Sequence, residues 1–503
     1  MAARRRPDAD PGGRLDPAAH GIAPAGAGGR GPGVKRWLWL LGWLPALAAA
    51  GLPARVERVL SAHDLPLSSY SAWVQAAGAE RPLLAVNADE PRNPASTIKL
   101  LTTFLALEEL GPDYRWRTEA YLLGELSADG VLDGDLLVKG YGDPYLVTER
   151  LWLFLRKLRQ RGLRDIRGDL VIDNSYFAVP ADAPRGRFDG QPYRVYNVPP
   201  DALLINFNAI SFLFLPDPAA GRVRVIADPA PANLEILNQL QLVDGRCRGF
   251  QHGIRFAANR DQQPPRVAFS GRYGSECGEF RLSRAVLTAP EYAYGVIRRL
   301  WEESGGRLRG GLRRGLAPAG AEPFLAFPSL PLAEIIRRVN KWSNNVMTRQ
   351  IFLTMGAERF GPPGDLDKAR AAVAEALAAR GLDFPELRLD NGAGLSRDTR
   401  ISARNLGRLL LAAERSPFRA EFESSLALAG LDGTMRRRFR DEDATGQMHL
   451  KTGRLNGVFA MAGYVHARSG RDYAVVAIQN HPLAHRGPAE EAHSELLRWV
   501  FEQ

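Results

Sequence analysis

The sequence predicts an α+β protein in which an antiparallel sheet flanked by helices is interrupted by a large strand-rich insert. Three observations lead to this prediction. Patterns typical of strands occur near both ends of the chain, helical spacing dominates from residue 332 to residue 379, and short strands with many turns fill residues 118–322. The chain has 503 residues and is 45% hydrophobic, which is enough for two or more domains.

The first 54 residues indicate a disordered extension followed by an export signal. Two basic residues precede an apolar run from Trp37 to Ala50, and small residues near Ala54 suit cleavage. The run is short for a bilayer span and contains Pro45, so we expect export with at most peripheral membrane association. The preceding Arg-, Gly- and Pro-rich stretch has no periodic pattern, so we expect translation to begin near Val34.

Residues 55–117 and 323–503 are predicted to form one domain, because strands from both ends can share one sheet. A helix is expected from Ser96 to the Gly111-Pro112 break, and a closing helix at 490–501. The expected strands of this domain are 71–77, 81–87, 448–452, 458–466 and 472–479. The expected helices between the insert and the last strands are 332–339, 347–355 and 366–379.

The insert, residues 118–322, is long enough to fold as one or two small domains. Its clearest predicted strands are 134–140, 168–173, 222–226 and 266–270. It also contains both cysteines of the chain, Cys247 and Cys277, and an even pair in an exported protein indicates a disulfide. Two unpaired buried thiols remain the alternative. No further cysteine is available for a metal site.

Ser96-Thr97-Ile98-Lys99 is the first group with chemical potential. Positions i and i+3 share one face of a helix, so the spacing places the lysine amine near the serine hydroxyl. A serine hydroxyl is a weak nucleophile unless a neighbouring base takes its proton. Lys99 can serve as that base near pH 7 only if its pKa falls by about 3 units, which burial and a second nearby cation can achieve.

Two further groups follow in the chain. Ser343-Asn344-Asn345 stands between two predicted helices, and Lys451-Thr452-Gly453 stands on a predicted strand, where a glycine permits close approach of another backbone. Each alone has an ordinary structural explanation, as a helix cap or a strand end. All three in this order, each on a suitable element, are much less expected by chance.

The scarcity of lysine supports these assignments independently. Only seven of the 66 basic Lys and Arg residues are lysines, and two of them are Lys99 and Lys451, with Lys341 close to the second group. Arginine does not lose its proton in proteins, whereas the pKa of lysine responds to its surroundings. A position that must transfer a proton therefore keeps lysine even in this arginine-rich chain.

With these motifs the chain resembles the penicillin-binding D-alanyl-D-alanine carboxypeptidases and endopeptidases of low molecular mass, the peptidase S13 family. The likeness covers nearly everything after the leader, and the long span between Ser96 and Ser343 distinguishes it from β-lactamases and simple carboxypeptidases of the same fold. The other similar segments are 93–99, 140–144, 340–345, 390–397, 432–435 and 462–464. The resemblance implies the serine β-lactamase and penicillin-binding-protein transpeptidase fold, and a periplasmic location.

The resemblance also implies a role for each site residue. Ser96 would form an acyl-enzyme with a peptidoglycan stem peptide, and Lys99 would accept its proton. The residues implied to assist are Ser343 and Asn345 in catalysis and Lys451, Thr452, Gly453 and Arg454 in substrate binding. The backbone N–H groups of positions 96 and 454 would form the oxyanion hole. A small hydroxyl residue commonly replaces Arg454 in this motif, so recognition of the substrate carboxylate is expected to differ here.

Several alternatives remain at this stage. A β-lactamase or esterase on the same fold is one, although no E-x-x-x-N spacing lies between Asn345 and Lys451. A non-catalytic wall-binding protein is another. We expect β-lactams as covalent inhibitors, no cofactor and no catalytic metal, because the eight histidines form no H-E-x-x-H motif. The net charge of +10 is not arranged as a basic run with aromatics, which argues against nucleic acid as a partner.

Overall fold

The computed structural model describes residues 51–180, 185, 186 and 188–503. The predicted disordered extension and nearly all of the predicted export signal lie outside these residues. Leu52 is only 8% exposed and packs in a core, so the packed structure begins before the expected cleavage position near Ala54. In the described part of the chain, no helix combines the length and apolar character needed to cross a membrane.

The described chain contains runs of strands and runs of helices, with several short 3-10 turns between them. The helices are α1 (Ala54–Ala62), α2 (Lys99–Leu110), α3 (Thr148–Gln160), α4 (Ala289–Glu303), α5 (Leu332–Trp342), α6 (Asn345–Phe360), α7 (Leu366–Ala378), α8 (Ala403–Glu414), α9 (Arg419–Ser424) and α10 (Pro488–Phe501). The strands are β1 (Tyr70–Ala76), β2 (Leu84–Val86), β3 (Arg117–Leu126), β4 (Val131–Gly140), β5 (Asp165–Ile166), β6 (Leu170–Asp173), β7 (Ile210–Asp217), β8 (Arg222–Asp228), β9 (Glu235–Val243), β10 (Ile254–Asn259), β11 (Arg266–Gly274), β12 (Phe280–Arg284), β13 (Arg307–Leu308), β14 (Leu312–Arg314), β15 (Leu325–Pro328), β16 (Ala427–Leu428), β17 (Met448–Leu455), β18 (Val458–His466) and β19 (Asp472–Asn480).

The two ends of the chain build one antiparallel sheet, as predicted. Its strand order is β16-β17-β18-β19-β1-β2, and β1 pairs with β19 so that Tyr70 lies opposite Gln479. The predicted strand 81–87 is shorter than expected and begins at Leu84. Pro82 has no N–H to donate to a neighbouring strand, which limits the pairing at that end.

Alternate residues of this sheet face two different cores. On β18, Ala460 and Ala462 pack against the helices of the larger core, which include α2, α5, α6, α7 and α8. Phe459 and Met461 pack on the opposite face with α1 and α10. Period-2 alternation with both faces buried explains why the strand is almost entirely apolar. The predicted antiparallel sheet flanked by helices is therefore present.

The strand-rich region has sheets and a core of its own. A seven-stranded sheet contains β13, β5, β4, β3 and β15 in that order, with β6 and β14 alongside. Two three-stranded sheets, β10-β11-β9 and β12-β7-β8, share its core together with α3 and α4. β15 pairs with β3, so the first and last strands of this sheet lie side by side. The sequence assigns residues 325–328 to the other domain, but Leu325 and Phe327 pack in the core of the strand-rich region. Cys247 and Cys277 form a disulfide there, with Cα atoms 4.9 Å apart.

Candidate active site

Ser96 lies on a 3-10 turn, Ala95–Ile98, that leads directly into α2. The sequence predicts an α-helix from Ser96, but the α-helical bonding begins only at Lys99. The Asn93 side chain accepts a hydrogen bond from the Ala95 N–H at 2.9 Å and holds the start of the turn. Ser96 and Lys99 still lie one helical turn apart. Ser96 is partly exposed at the surface, and Lys99 beneath it is fully buried.

The Lys99 amine has three oxygen neighbours. Its Nζ lies 3.0 Å from Ser96 Oγ and 2.6 Å from Asn345 Oδ1, and it also contacts the carbonyl oxygen of Ala393. The amide and carbonyl oxygens can only accept hydrogen bonds. A neutral amine would donate its two N–H bonds to them, which leaves its lone pair for the Ser96 hydroxyl. The contacts around Lys99 therefore suit a proton acceptor.

The electrostatic surroundings favour this neutral form. Burial is the main cause that lowers the pKa of Lys99 well below its usual value, and the positive charges of Lys451 and Arg349 lower it further. Burial also lowers the pKa of Lys451 to about 7. The lysine at position 99 thus has the perturbed pKa that a base acting near neutral pH requires.

Ser343 and Asn345 are positioned by the junction between α5 and α6. Ser343 ends α5 in a left-handed conformation with φ 57°, and the Asn344 side chain caps the start of α6. This sharp change of direction turns Asn345 towards Lys99. The three residues Ser343-Asn344-Asn345 therefore act as a helix cap and as part of the site at once.

Lys451 reaches the same place from β17. Its Nζ donates to Ser343 Oγ at 2.8 Å and to the Thr452 carbonyl at 2.7 Å, and its side chain is fully buried. Ser343 thereby connects the Ser343-Asn344-Asn345 group to Lys451, and Asn345 connects the same group to Lys99. All three groups that the sequence singles out meet at one point.

Gly453 allows β17 to run against the turn that carries Ser96. A Cβ at this position would lie 2.7 Å from the Pro94 carbonyl oxygen and 2.9 Å from the Ser96 backbone nitrogen. Any side chain would push the strand away from Ser96. The neighbouring Thr452 hydroxyl donates to Thr434 Oγ1 at 3.0 Å, within the 432–435 segment.

Arg454 lies at the rim of the site and is already paired. Its guanidinium forms an ion pair with Glu490 and lies 5.1 Å from the centre of the Phe459 ring. Glu490 also pairs with Arg438 at 2.5 Å. One carboxylate therefore offsets two guanidinium groups, so this rim keeps a positive charge.

A cleft of about 800 Å³ opens over Ser96. Its walls come from both parts of the chain, since Phe188 and Tyr196 belong to the strand-rich region while Trp342, Leu395 and Arg454 do not. The exposed fraction of Trp342 is 61%, although it is a large apolar side chain. The cleft therefore offers aromatic and cationic contacts beside the serine.

Sequence reasoning missed two groups that act on Lys99. The Ala393 contact is made by a backbone carbonyl, and the type of a residue does not predict the contacts of its carbonyl. The 390–397 segment was noted only because it resembles the family. No feature of the sequence distinguished Arg349 from the many other arginines of the chain. Lys341, counted with the scarce lysines, instead donates to Asp432 at 2.5 Å and to the Leu426 carbonyl at 2.9 Å.

Several known proteins are similar to this chain in sequence or in fold. Residues 52–500 match the model of Peptidase S13, the D-Ala-D-Ala carboxypeptidase 3 (S13) family. A D-alanyl-D-alanine carboxypeptidase of Actinomadura sp. (strain R39) is 28% identical over 498 residues, which is 93% of this chain and 90% of that protein.

A solved structure, penicillin binding protein 4 (dacB) from Haemophilus influenzae, matches the fold with a TM-score of 0.73. It is 22% identical in sequence, and the match covers 89% of this chain and 99% of that one. A structure of the same protein complexed with a β-lactam matches with a TM-score of 0.71 at 22% identity, over 90% of this chain and 100% of that one. The predicted α+β fold is confirmed. The family match spans the whole site, from the turn at Ser96 to β17, and this chain belongs to the D-Ala-D-Ala carboxypeptidase 3 (S13) family of serine-type enzymes.

Proposed function

We propose that Ser96 is the nucleophile and Lys99 the general base with which this carboxypeptidase cleaves D-alanyl-D-amino acid bonds. The observation that carries the proposal is the 3.0 Å contact between Lys99 Nζ and Ser96 Oγ, in a pocket where two other oxygens accept the amine's N–H bonds. Ser96 Oγ attacks the peptide carbonyl as Lys99 takes its proton. The C–N bond then breaks, the D-amino acid leaves with a proton, and water later hydrolyses the acyl-enzyme.

The remaining site residues supply the proton path and the binding contacts. Ser343 lies 2.8 Å from Lys451 Nζ and relays a proton to the leaving amine. Asn345 holds Lys99 in place. The backbone N–H groups of Ser96 and Arg454 stabilise the oxyanion, worth a few kcal/mol in the transition state.

The terminal carboxylate of the substrate binds Lys451 and Thr452. The rim at Arg454 supports this binding in a different way from the small hydroxyl that is common at its position. Arg454 is already paired with Glu490, which also pairs with Arg438, so Arg454 does not bind the substrate carboxylate one to one. The two guanidinium groups instead give the cleft a positive electrostatic potential.

The natural substrates are peptidoglycan stem peptides, and the protein works after export, in the periplasm. Removal of a terminal D-alanine and cleavage of cross-links both fit the open cleft over Ser96. Residues 55–117 with 323–503 form the catalytic domain, except that β15 extends the sheet of the inserted region. The inserted region, 118–322, supplies part of the cleft wall.

β-Lactams acylate Ser96 and leave slowly. The Haemophilus relative is described in complex with a β-lactam, and no E-x-x-x-N segment here provides the glutamate that class A β-lactamases use for deacylation. Rapid and repeated hydrolysis of penicillin would favour the β-lactamase alternative instead.

The decisive experiment uses the exported form of the protein with a labelled penicillin and purified muropeptides. Peptide mapping should place the label on Ser96, and chromatography should show loss of D-alanine or cleavage of cross-linked dimers. Ser96→Ala should abolish both. Unchanged product formation by Ser96→Ala would refute the proposal, and intact protein without any turnover would favour the non-catalytic wall-binding alternative.

A further inference from the structure

Two histidines and a glutamate meet on the side of β17 and α9, in a cluster that the proposed reaction does not use. One ligand atom from each of Glu423, His449 and His466 lies within 4.8 Å of the others. The residues come from α9, β17 and β18, so no short motif in the sequence links them. We propose that Glu423, His449 and His466 form a binding site for a divalent transition-metal ion of the zinc type.

The contact between His466 and Glu423 has the dimensions of two ligands of one ion. His466 Nε2 lies 3.0 Å from Glu423 Oε1. Two atoms that each lie about 2.0–2.1 Å from a tetrahedral zinc ion are about 3.3 Å apart. An ion can therefore replace the proton between these atoms with a shift of a few tenths of an ångström. Both side chains are only partly exposed, so a bound ion would keep access to water.

The outer contacts orient both imidazoles as they do in metal sites. His466 Nδ1 lies 2.6 Å from Asp472 Oδ1, so its N–H donates to a carboxylate and its Nε2 faces Glu423. His449 Nδ1 lies 3.1 Å from the Glu423 carbonyl oxygen, and donation there leaves its Nε2 lone pair free. Ligand histidines in proteins usually donate their second N–H to a carboxylate or a carbonyl in this way.

The charge of the surroundings also favours a divalent cation. Arg419 binds Glu414, Glu423 and Asp472 at 2.9, 3.1 and 2.9 Å. Three carboxylates thus surround one guanidinium, and hydrogen bonds to Glu423 and Asp472 raise the pKa of His466 to about 9. A divalent ion would displace the His466 proton and then meet a charge of −2 from the three carboxylates and Arg419. A divalent ion balances this charge. Arg419 contacts Oε2 of Glu423 and Oδ2 of Asp472, so the oxygens that face His466 are separate from those that hold Arg419.

A bound ion would connect elements that form the back of the active site. His449 stands two residues before Lys451 on β17. Glu423 lies on α9, and the following Ser425 accepts a hydrogen bond from Asn340 of α5 at 2.8 Å. The ion would therefore hold β17, β18 and α9 together. We expect it to stabilise the fold, without entering the acyl-transfer reaction.

The test uses the exported form of the protein, free of tags and stripped of metal. Titration with Co²⁺ should produce the visible absorption of a four- or five-coordinate ion at one equivalent, and Zn²⁺ should displace it and raise the melting temperature. His449→Ala and His466→Ala should remove both effects. Asp472→Asn should weaken Zn²⁺ binding about 10–100-fold, since it removes the partner of a ligand histidine.

His63→Ala is the matched control, because His63 also pairs with a glutamate, Glu491, but belongs to no cluster of potential metal ligands among the described residues. This variant should bind the metal unchanged. Far-UV circular dichroism and a cooperative thermal melt report whether each variant is folded. Absence of the Co²⁺ band from the folded wild-type protein, or its persistence in both His449→Ala and His466→Ala, would overturn the proposal. Neither result depends on whether the proposed reaction is correct.

Discussion

The proposed chemistry depends most on Lys99, whose amine contacts no carboxylate in the part of the chain that the structure describes. Its neighbours are a hydroxyl, an amide oxygen and a backbone carbonyl, and its nearest charged influences are cations. A charged amine in this position would lose hydration without gaining a counter-ion. The site therefore favours the neutral amine, which is the form that can accept a proton from Ser96.

Replacement of this amine by a group that cannot lose a proton should stop acylation. We expect Lys99→Arg to slow the acylation of Ser96 by labelled penicillin by about 10²–10⁴-fold, the usual contribution of a general base. Stopped-flow or gel measurements of bound label give the rate. Lys157→Arg, on the exposed face of α3, is the control and should acylate normally. Equal rates in the two variants would show that Lys99 is not the base.

Because of the two buried lysines, kcat/KM should depend on pH differently for substrates with and without a terminal carboxylate. Lys99 must be neutral, so acylation should increase as the pH rises through its lowered pKa. Lys451 must be charged to bind a carboxylate, and its charge is lost as the pH rises above about 7. A substrate with a free terminal carboxylate should therefore lose kcat/KM on the alkaline side.

A neutral ester substrate should keep its kcat/KM there, because it does not need the Lys451 charge. Measurement of kcat/KM for both substrates from below to above pH 7 checks this difference. Parallel profiles for the two substrates would show that Lys451 does not recognise the carboxylate in its charged form.

At the scale of elements, the site depends on how closely one strand approaches one turn. β17 passes the Ala95–Ile98 turn at Gly453, where backbone atoms occupy the space of a Cβ. The adjacent junction between α5 and α6 adds Ser343 and Asn345 from a third direction. Each element is ordinary by itself, and the catalytic geometry arises from their spacing.

A single methyl group at this contact should disturb the chemistry more than the fold. We expect Gly453→Ala to reduce acylation of Ser96 about 10²-fold, because a displacement of about 1 Å at a reacting centre has an effect of that size. Gly311→Ala is the control, since a Cβ there meets no atom within 4 Å. Rates of label incorporation and thermal melts of both variants make the comparison. Full activity of Gly453→Ala would mean that β17 and the turn are free to separate.

At the scale of the whole molecule, the strand-rich region has a separate core but takes part in the site. Its core is distinct from the two cores that cover the six-stranded sheet. Phe188 and Tyr196 nevertheless line the cleft beside Ser96. The region can therefore influence which peptides enter the cleft. Because its core is separate, we expect a loss of stability within the region to leave the site around Ser96 unchanged.

The disulfide provides a test of this separation. Cys247 and Cys277 are 30 residues apart, and opening such a loop should lower the stability of the region by roughly 3.5 kcal/mol on the chain-entropy estimate. We expect the double variant Cys247→Ser/Cys277→Ser to melt earlier but to acylate Ser96 at an unchanged rate at low temperature. Calorimetry and label incorporation measure the two properties. Loss of acylation in the folded double variant would show that the region controls the site more tightly.

Local features of the sequence determined the secondary structure of this protein and the first contact of its candidate site. The spacing of Ser96 and Lys99 predicted their contact, because one helical turn separates positions i and i+3 whether the turn is α or 3-10. Apolar periodicity predicted the strands of the sheet and the helices that cover it, and two cysteines in a chain with a predicted export signal indicated their pairing. These features depend on neighbours in the chain or on residue type alone.

Only the tertiary structure decided what surrounds each group. The carbonyl of Ala393 and the charge of Arg349 act on Lys99 from distant segments, and the cluster of Glu423, His449 and His466 joins three elements. Local sequence does not carry this information, since backbone carbonyls are the same for every residue and proximity across a sheet depends on register. The pKa of a lysine follows from burial and nearby charge, and both are properties of the folded chain.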